Sequence, residues 1–234
     1  MTPGKAAEAE RTKLSRSTVV DGALALADAE GVEALTIRRL AQELGVTPMA
    51  LYWHFRNKEE LIAGLTDRIW GEIRSDVDEA APWPLQLRSL LESLIEVLRA
   101  HESATSLMLD SEKFGASHWH VTEVTLDVLR RAGFDPLRAA EIAKSALWTG
   151  LTLVMGDLGY DRNMTDPERA ERSRRKQIEL ASLPPQQYPR LIEAAIPLTS
   201  CNDESAFHYQ FGVDLFIAGV QALAPGQPPT LGGR

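Results

Sequence analysis

The residues with the clearest chemistry lie between positions 36 and 58. Tyr52, Trp53, His54 and Phe55 are four consecutive ring-bearing side chains. On a helix they cannot all point inward, because successive residues are about 100° apart around the axis. The alternative is an aromatic core cluster, which leaves the outward-pointing members of the run unexplained. We therefore expect some of these rings to be exposed for contact with another molecule.

The side chains near this aromatic run suit a nucleic-acid backbone. Tyr52 and Thr47 can donate hydrogen bonds to phosphates, and Arg38 and Lys58 can pair with phosphates from the flanking segments. Asn57 begins a helix whose positive N-terminal end could also face a phosphate. These residue types in one short segment predict a DNA interface.

Three helices are predicted to position these side chains. The first runs from about Ser17 to Glu30, and the second begins at Thr36, a good N-cap residue. Gly45 then permits a sharp turn, and Thr47 caps a very short third helix that has Pro48 at its first position. This order is the geometry of a helix-turn-helix, in which the second helix of the pair enters the major groove.

The third helix has one inward and one outward face. Leu51 and Phe55 are four residues apart and can pack against the second helix. The outward positions are then Pro48, Met49, Tyr52 and His54. Small or apolar side chains such as Met49 and Ala50 can contact thymine methyl groups.

The charge distribution fits DNA at one end of the molecule only. The net charge is -8, but residues 1–58 carry eight Lys and Arg against seven Asp and Glu. The excess acid lies in the remainder of the chain, which would repel phosphate and so help to orient the protein on DNA.

The rest of the chain also indicates an all-α protein. Asn57 and Glu60 have the spacing of a capping box, so a fourth helix is predicted to run from there to about Val77. Prolines separate the further predicted helices, which lie near 84–101, 103–110, 117–132, 137–158, 166–182, 187–195 and 204–223. Residues 1–14 are interpreted as a flexible tail and 224–234 as a disordered tail.

The segment LTIRRLAQELGVTPMALYWHFRNK, residues 35–58, resembles the signature of the tetracycline-repressor (TetR) family. The resemblance extends without a gap from Leu14 to about Leu65. It implies a three-helix DNA-binding domain, residues 15–60, on a larger helical ligand-binding and dimerisation domain, residues 61–223. By position, the residues that would contact DNA are Arg38, Thr47, Pro48, Met49, Ala50, Tyr52, His54 and Lys58. Pro48 and Ala50 differ from the tetracycline repressors themselves, so a different operator sequence is expected.

The C-terminal part resembles the same family more loosely, at Trp83 and in the segments ALWTGLTL, 146–153, and FHYQFGVDLFIAGV, 207–220. The resemblance implies a homodimer built from the helices near 137–158 and 204–223. The residues expected at that interface are Phe211, Leu215, Ala218 and Gly219. The alternative is a core helix of a monomer. A dimer is favoured because two recognition helices about 34 Å apart would read a palindromic operator in double-stranded DNA.

A small-molecule inducer of unknown identity is the second partner that the resemblance implies. The family's namesakes hold a magnesium–drug chelate, but Arg74, Leu90, Leu94 and Met108 stand at those positions, so that chelate is not expected here. The predicted pocket is mainly apolar and is lined by Leu94, Leu98, Met108, Trp119, Trp148, Leu151 and Met155. The alternative is that these side chains are only core.

The sequence gives little support for a metal site, an enzyme active site or a cofactor site. His118 and His120 are two residues apart, so on a helix they diverge by about 200°, and we predict no metal site. No phosphate loop, Gly-x-Ser-x-Gly or Cys-x-x-Cys motif is present, so neither an enzyme nor a cofactor is expected. A single cysteine, Cys201, and no apolar run of membrane-spanning length favour a cytoplasmic protein with no membrane partner.

Three functional readings stay open at this point. The first is a repressor that a ligand releases from its operator. The second is an enzyme or small-molecule carrier with a vestigial helix-turn-helix. The third is a DNA-binding activator or architectural protein that senses no ligand.

Overall fold

The computed structural model describes residues 14–105, 107–110, 114–158, 165–199 and 205–226. Within these ranges the chain is helical and contains no β-strand, as predicted for an all-α protein. The helices are α1 Arg16–Glu30, α2 Ile37–Glu43, α3 Pro48–Tyr52, α4 Lys58–Trp70, α5 Trp83–Ala100, α6 Leu107–Asp110, α7 Ala116–Arg131, α8 Pro136–Leu158, α9 Asp166–Ala181, α10 Pro189–Glu193, α11 Ala195–Thr199 and α12 Ser205–Ala222. Short 3-10 turns occupy Val32–Ala34 and Glu102–Ala104. Most of the two predicted tails, and Cys201, lie outside the described residues.

Side-chain caps fix the starts of the first four helices. The predicted caps are present: the Thr36 hydroxyl accepts from the Arg39 N–H at 3.1 Å, and the Thr47 hydroxyl accepts from the Ala50 N–H at 3.3 Å. Asn57 likewise caps α4 through the Glu60 N–H at 2.8 Å. The predicted capping box also requires the Glu60 carboxylate to accept from the N–H of Asn57. That part of the prediction is wrong, because the Glu60 carboxylate accepts instead from the N–H of Arg56.

Gly45 forms the turn between α2 and α3 in a left-handed conformation, with φ of 64°. Only glycine adopts this conformation without a steric cost. Leu40 and Ala41 on α2 and Leu51 on α3 are buried beneath the turn. The predicted helix-turn-helix is therefore formed, with the inward faces that its apolar spacing indicated.

The prediction that the fourth helix continues to about Val77 is wrong. The helix α4 ends at Trp70, and Gly71 follows it as the C-cap residue. A tertiary contact fixes the new direction, because the Arg74 N–H donates at 2.8 Å to the hydroxyl of Ser93, a buried residue of α5. Ile73 is also buried in the segment that leaves α4, so the chain turns into the core there.

The larger helical body is built around α5. This helix packs against α7, α8 and α12, and α4 connects the N-terminal unit to the body by packing against both α1 and α7. Close approach of α8 to α5 depends on Gly150, where an added Cβ would lie 2.9 Å from Leu94 Cδ2. Predicted boundaries at 84–101, 117–132, 137–158 and 204–223 agree with α5, α7, α8 and α12 within two residues.

Two predicted helices are each divided in the structure. The segment near 103–110 is a 3-10 turn followed by α6, and the segment near 187–195 becomes α10 with α11 after it. Ala194 separates α10 from α11. The charged segment near 166–182 forms α9, whose described side chains are largely exposed, as a solvated helix face would be. The helices α9, α10 and α11 pack mainly on one another.

Candidate DNA interface and ligand cavity

The outer face of the helix-turn-helix carries the side chains predicted to contact DNA. Six of them are exposed, namely Arg38, Thr47, Pro48, Met49, Tyr52 and Lys58. The other two, Ala50 and His54, are half-buried. Leu51 and Phe55 are each 1% exposed and hold this surface on the core. The structure thus brings the whole predicted set to one end of the molecule.

The two adjacent arginines of α2 have different environments. Arg39 pairs with Glu30 and with Glu43, the latter at 2.8 Å, so it connects α1 to α2. The hydrogen bonds that Arg39 donates to the carboxylates of Glu30 and Glu43 raise the pKa of Arg39. Arg38 is exposed and makes no ion pair with any residue in the described ranges. Arg38 is therefore the available cation on α2 for a phosphate.

Trp53 is a candidate contact that the sequence-based set omits. It directly follows α3 and is 85% exposed, which is the largest exposure among the large hydrophobic side chains in the described ranges. An indole in water at the end of a recognition helix suits contact with a sugar or a base edge. The unbroken aromatic run was the signal for it, since some member of that run had to face outward.

A cavity of about 450 Å³ opens into the body between α5, α7 and α8. Its size is within the range of small-molecule sites. Four of the seven predicted lining residues surround it: Leu94, Met108, Trp119 and Trp148. Leu87, Leu90 and Leu91 extend the same apolar wall along α5.

The other three predicted lining residues, Leu98, Leu151 and Met155, do not line this cavity. The physical reason is the close contact of Gly150 with Leu94, which brings α8 onto α5. Leu98 lies further along α5, and Leu151 and Met155 lie further along α8, past this contact. Leu98 and Leu151 are fully buried there as ordinary core residues.

An aromatic wall that the sequence-based set missed closes one side of the cavity. Trp70 from α4, Phe114 and His118 all line it. The ring centroids of Trp70 and His118 are 4.6 Å apart with their planes nearly perpendicular, and Phe114 stacks on His118 at 4.0 Å. The only sequence signal was the His-Trp-His order at 118–120, and it does not reveal which histidine is buried.

His118 and His120 have opposite environments. His118 is 7% exposed whereas His120 is exposed, as expected for residues two apart on a helix. Burial lowers the pKa of His118 and so favours the neutral ring, and the negative charge of Asp67 offsets this only in part. Within the described part of the chain, no group of three or more His, Cys, Asp or Glu side chains could hold a metal ion.

The predicted interface residues form an apolar stripe on α12. Phe211, Leu215, Ala218 and Gly219 are all exposed in the single chain. Phe207 extends the stripe by one turn and stacks on Phe211 at 5.9 Å. The opposite face of α12 is buried, because Tyr209, Val213, Ile217 and Val220 pack into the core. The helix therefore has one face for its own body and one that a second copy could cover.

Two family models match adjacent parts of the chain. Residues 19–65 match the model described as bacterial regulatory proteins, tetR family, and residues 78–224 match the tetracyclin repressor-like C-terminal domain. Together they cover the helix-turn-helix, α12 and all the residues that line the cavity except Trp70. The chain belongs to the TetR family.

Several relatives have the same organisation. The class A tetracycline repressor protein from transposon 1721 of Escherichia coli is 32% identical over 191 residues, which are 79% of this chain and 81% of that protein. The TetR family protein ActR of Streptomyces coelicolor, solved in complex with actinorhodin, is 28% identical with a TM-score of 0.79. That comparison covers 91% of this chain and 99% of ActR.

Membership of the TetR family fixes the broad function. The family consists of DNA-binding transcriptional regulators, and this chain is such a regulator. Repression, response to a ligand and dimerisation are typical of TetR proteins. In the described residues, no helix is long and apolar enough to cross a membrane.

Proposed function

We propose that this TetR protein is a homodimeric repressor that a small, mainly apolar molecule releases from a palindromic operator. The observation that carries the proposal is the coexistence of an exposed recognition helix and a 450 Å³ cavity in one helical frame. On this proposal, residues 15–60 read DNA and residues 61–223 bind the ligand and the second copy. The relative ActR supports a ligand in the body, because its structure holds actinorhodin.

The DNA-binding half of the proposal is tested on the DNA upstream of the gene. Fluorescence anisotropy should find one palindromic duplex bound far more tightly than a scrambled duplex of equal length. The affinity should fall steeply with salt, because Arg38, Lys58 and their equivalents in the second copy displace counterions from phosphates. A folded protein that binds no duplex selectively would contradict the proposal.

Two exposed tyrosines provide a matched pair of variants. Tyr52 on α3 is 48% exposed and Tyr188 before α10 is 44% exposed. The Tyr52→Ala change should remove specific operator binding without changing the unfolding midpoint, since the ring lies on the outer face. The Tyr188→Ala change should leave operator affinity as it is. Equal affinity of the two variants would remove Tyr52 from the interface.

The ligand half is tested by adding candidate molecules to the preformed operator complex. A thermal-shift screen of hydrophobic compounds first identifies those that stabilise the free protein, because a molecule that binds the native state raises the unfolding temperature. Those compounds should then lower operator affinity in the anisotropy assay. Stabilising compounds that instead strengthen operator binding would indicate an activator or a corepressed regulator.

A further inference from the structure

Two polar atoms on the aromatic wall of the cavity have no hydrogen-bond partner. Trp70 Nε1 and His118 Nδ1 are both buried, and neither is bonded to any residue that the structure describes. The residues themselves are 5% and 7% exposed. Most buried polar atoms in proteins are paired, so two unpaired atoms in adjoining rings need an explanation.

The two atoms lie in one wall, because the Trp70 and His118 rings touch edge to face with centroids 4.6 Å apart. Of the two threonines that line this cavity, the buried Thr125 has a partner, since its hydroxyl donates to the Val121 carbonyl at 2.8 Å, and Thr122 is only half-buried. Lys144 also lines the cavity, but it is exposed and bonded to Glu141. Unmet hydrogen-bonding capacity is thus concentrated at Trp70 and His118.

Phe114 covers one face of the His118 ring. Its ring lies nearly parallel to the His118 ring, at 18°, with centroids 4.0 Å apart, while Phe114 itself is half in solvent at 43% exposure. A flat aromatic molecule that enters the cavity could displace this half-exposed ring and open the wall beside Trp70 and His118. A polar group that lies in the plane of the His118 ring could then approach the two nitrogens.

We propose that the cavity recognises an aromatic hydroxyl compound, which displaces Phe114 from His118 and hydrogen-bonds to Trp70 Nε1 and His118 Nδ1. This inference rests on the proposed function, since it names the chemical class of the ligand that the cavity would take. The indole N–H only donates, so it requires an oxygen acceptor. A hydroxyl group both accepts and donates, so it satisfies His118 Nδ1 in either tautomer of the neutral ring.

The ligand's remaining surface must be apolar, because leucines, Met108 and tryptophans form the other walls. Its rings gain from contact with the aromatic side chains that line the cavity, among them Trp119, whose centroid is 4.8 Å from that of His118. A compound with the same rings and no hydroxyl would leave both nitrogens unpaired. The hydroxyl therefore determines which aromatic compounds bind.

The test compares 1-naphthol, 1-methoxynaphthalene and naphthalene by isothermal titration calorimetry on the full chain without DNA. We expect 1-naphthol to bind the native protein at least about tenfold more tightly than naphthalene, with the methoxy compound between them, since it only accepts. In Trp70→Phe, which keeps a ring but lacks the N–H, the preference for 1-naphthol should fall several-fold while naphthalene binding is retained.

Trp83→Phe is the matched control. Trp83 begins α5 outside the lining of the cavity, and its ring packs edge to face on Phe134 with centroids 5.6 Å apart. This variant should keep the preference for 1-naphthol, and Phe114→Ala should bind 1-naphthol more tightly than the native protein. Equal binding of the three compounds to the native protein, no binding of any of them, or an undiminished preference in Trp70→Phe would overturn the inference. Preferential 1-naphthol binding that leaves the operator complex intact would instead contradict the proposed release mechanism.

Discussion

His101 connects the DNA-reading end to the body through two carboxylates. Its Nδ1 lies 2.8 Å from Asp28 Oδ2 in α1, and its Nε2 lies 2.9 Å from Glu72 Oε2 just after α4. Glu72 also binds Arg68, which in turn binds Asp21 of α1. Burial acts to lower the pKa of His101, but the hydrogen bonds to Glu72 and Asp28 outweigh it and raise the pKa.

The raised pKa predicts the pH dependence of a His101→Gln variant. The protonated ring stabilises the fold fully below its unfolded-state pKa of 6.5, and this contribution is lost as pH rises through the folded-state value. Urea unfolding should show the native protein more stable than the variant by on the order of 1 kcal/mol in mild acid, with the gap closing at alkaline pH.

The contribution of His118 to stability has the opposite pH dependence. Because its pKa is lowered in the folded protein, this contribution is lost as pH falls. His118 is present in both proteins, so its effect cancels in the comparison with His101→Gln. A stability gap that is constant across the pH range would show that His101 does not titrate in contact with Asp28 and Glu72.

Individual residues differ in how far the sequence predicts their role. The exposed positions of α3 follow from the spacing of Leu51 and Phe55, which fixes the inward face. The difference between Arg38 and Arg39 does not follow, because it depends on Glu30 at the end of another helix. Burial of His118 was likewise unpredictable, since it depends on Trp70 from another helix and on how the Phe114 ring folds back over α7.

At the scale of the elements, the α2–α3 turn depends on the left-handed conformation of Gly45. No atom lies within 4 Å of an added Cβ there, so a substitution costs only backbone strain. Gly45→Ala should lower the free energy of unfolding by about 1 kcal/mol, and Gly45→Asn by less, because asparagine tolerates this conformation better. Thermal or urea unfolding measures both, and equal stability of alanine, asparagine and glycine would contradict the argument.

The contact between α4 and α7 connects the wall of the cavity with the helix-turn-helix domain. Asp67 on α4 accepts from the Ser117 N–H at 2.8 Å, and Gly115 lies so close that an added Cβ would be 2.1 Å from Asp67 Oδ1. Phe114 immediately precedes Gly115. Movement of Phe114 in the cavity would therefore be transmitted to α4, and α4 packs against α1.

Asp67→Ala should separate ligand binding from DNA release. We expect calorimetry to find 1-naphthol bound nearly as tightly as by the native protein, while its effect on operator affinity falls several-fold. Asp127→Ala is the control, since among the described residues Asp127 pairs only with Arg131, within α7. If Asp67→Ala releases the operator as readily as the control does, α4 and α7 are coupled elsewhere.

Helix starts and helix ends differ in predictability. Thr36, Thr47 and Asn57 cap their own helices through the residue three positions later, so the sequence suffices. The end of α4 depends on Ser93, which is 19 residues beyond Arg74. The cavity boundary depends on the contact between Gly150 and Leu94 on different helices, so three of the predicted lining residues lie past it.

For the whole molecule, the apolar stripe on α12 should determine the oligomeric state. Leu215 is 65% exposed in the single chain, and Leu85, on α5, is 55% exposed. Leu215→Glu should yield a monomer in analytical ultracentrifugation and weaken binding to a palindromic duplex by roughly a hundredfold, because two linked half-sites become one. Leu85→Glu should remain dimeric, and a dimeric Leu215→Glu would place the interface elsewhere.

The difference in net charge between residues 1–58 and the rest of the chain was predictable by counting charged residues, because the acidic excess lies beyond residue 58. The close packing of α9, α10 and α11 on one another was not predictable, since it depends on which apolar faces meet in the folded chain. Family resemblance supplied the dimer and the ligand as expectations, whereas the exposure of the α12 stripe is a property of the structure.

The exposed recognition surface has a thermodynamic consequence. Met49 is 68% exposed and Trp53 is 85% exposed, so the free protein holds apolar side chains in water at the point where it meets DNA. Docking dehydrates them, and dehydration of apolar surface gives association a negative heat-capacity change. The enthalpy of operator binding would then become more favourable on warming while its entropy becomes less so. Operator occupancy would thus pass through an optimum with temperature that the hydration of two side chains helps to set.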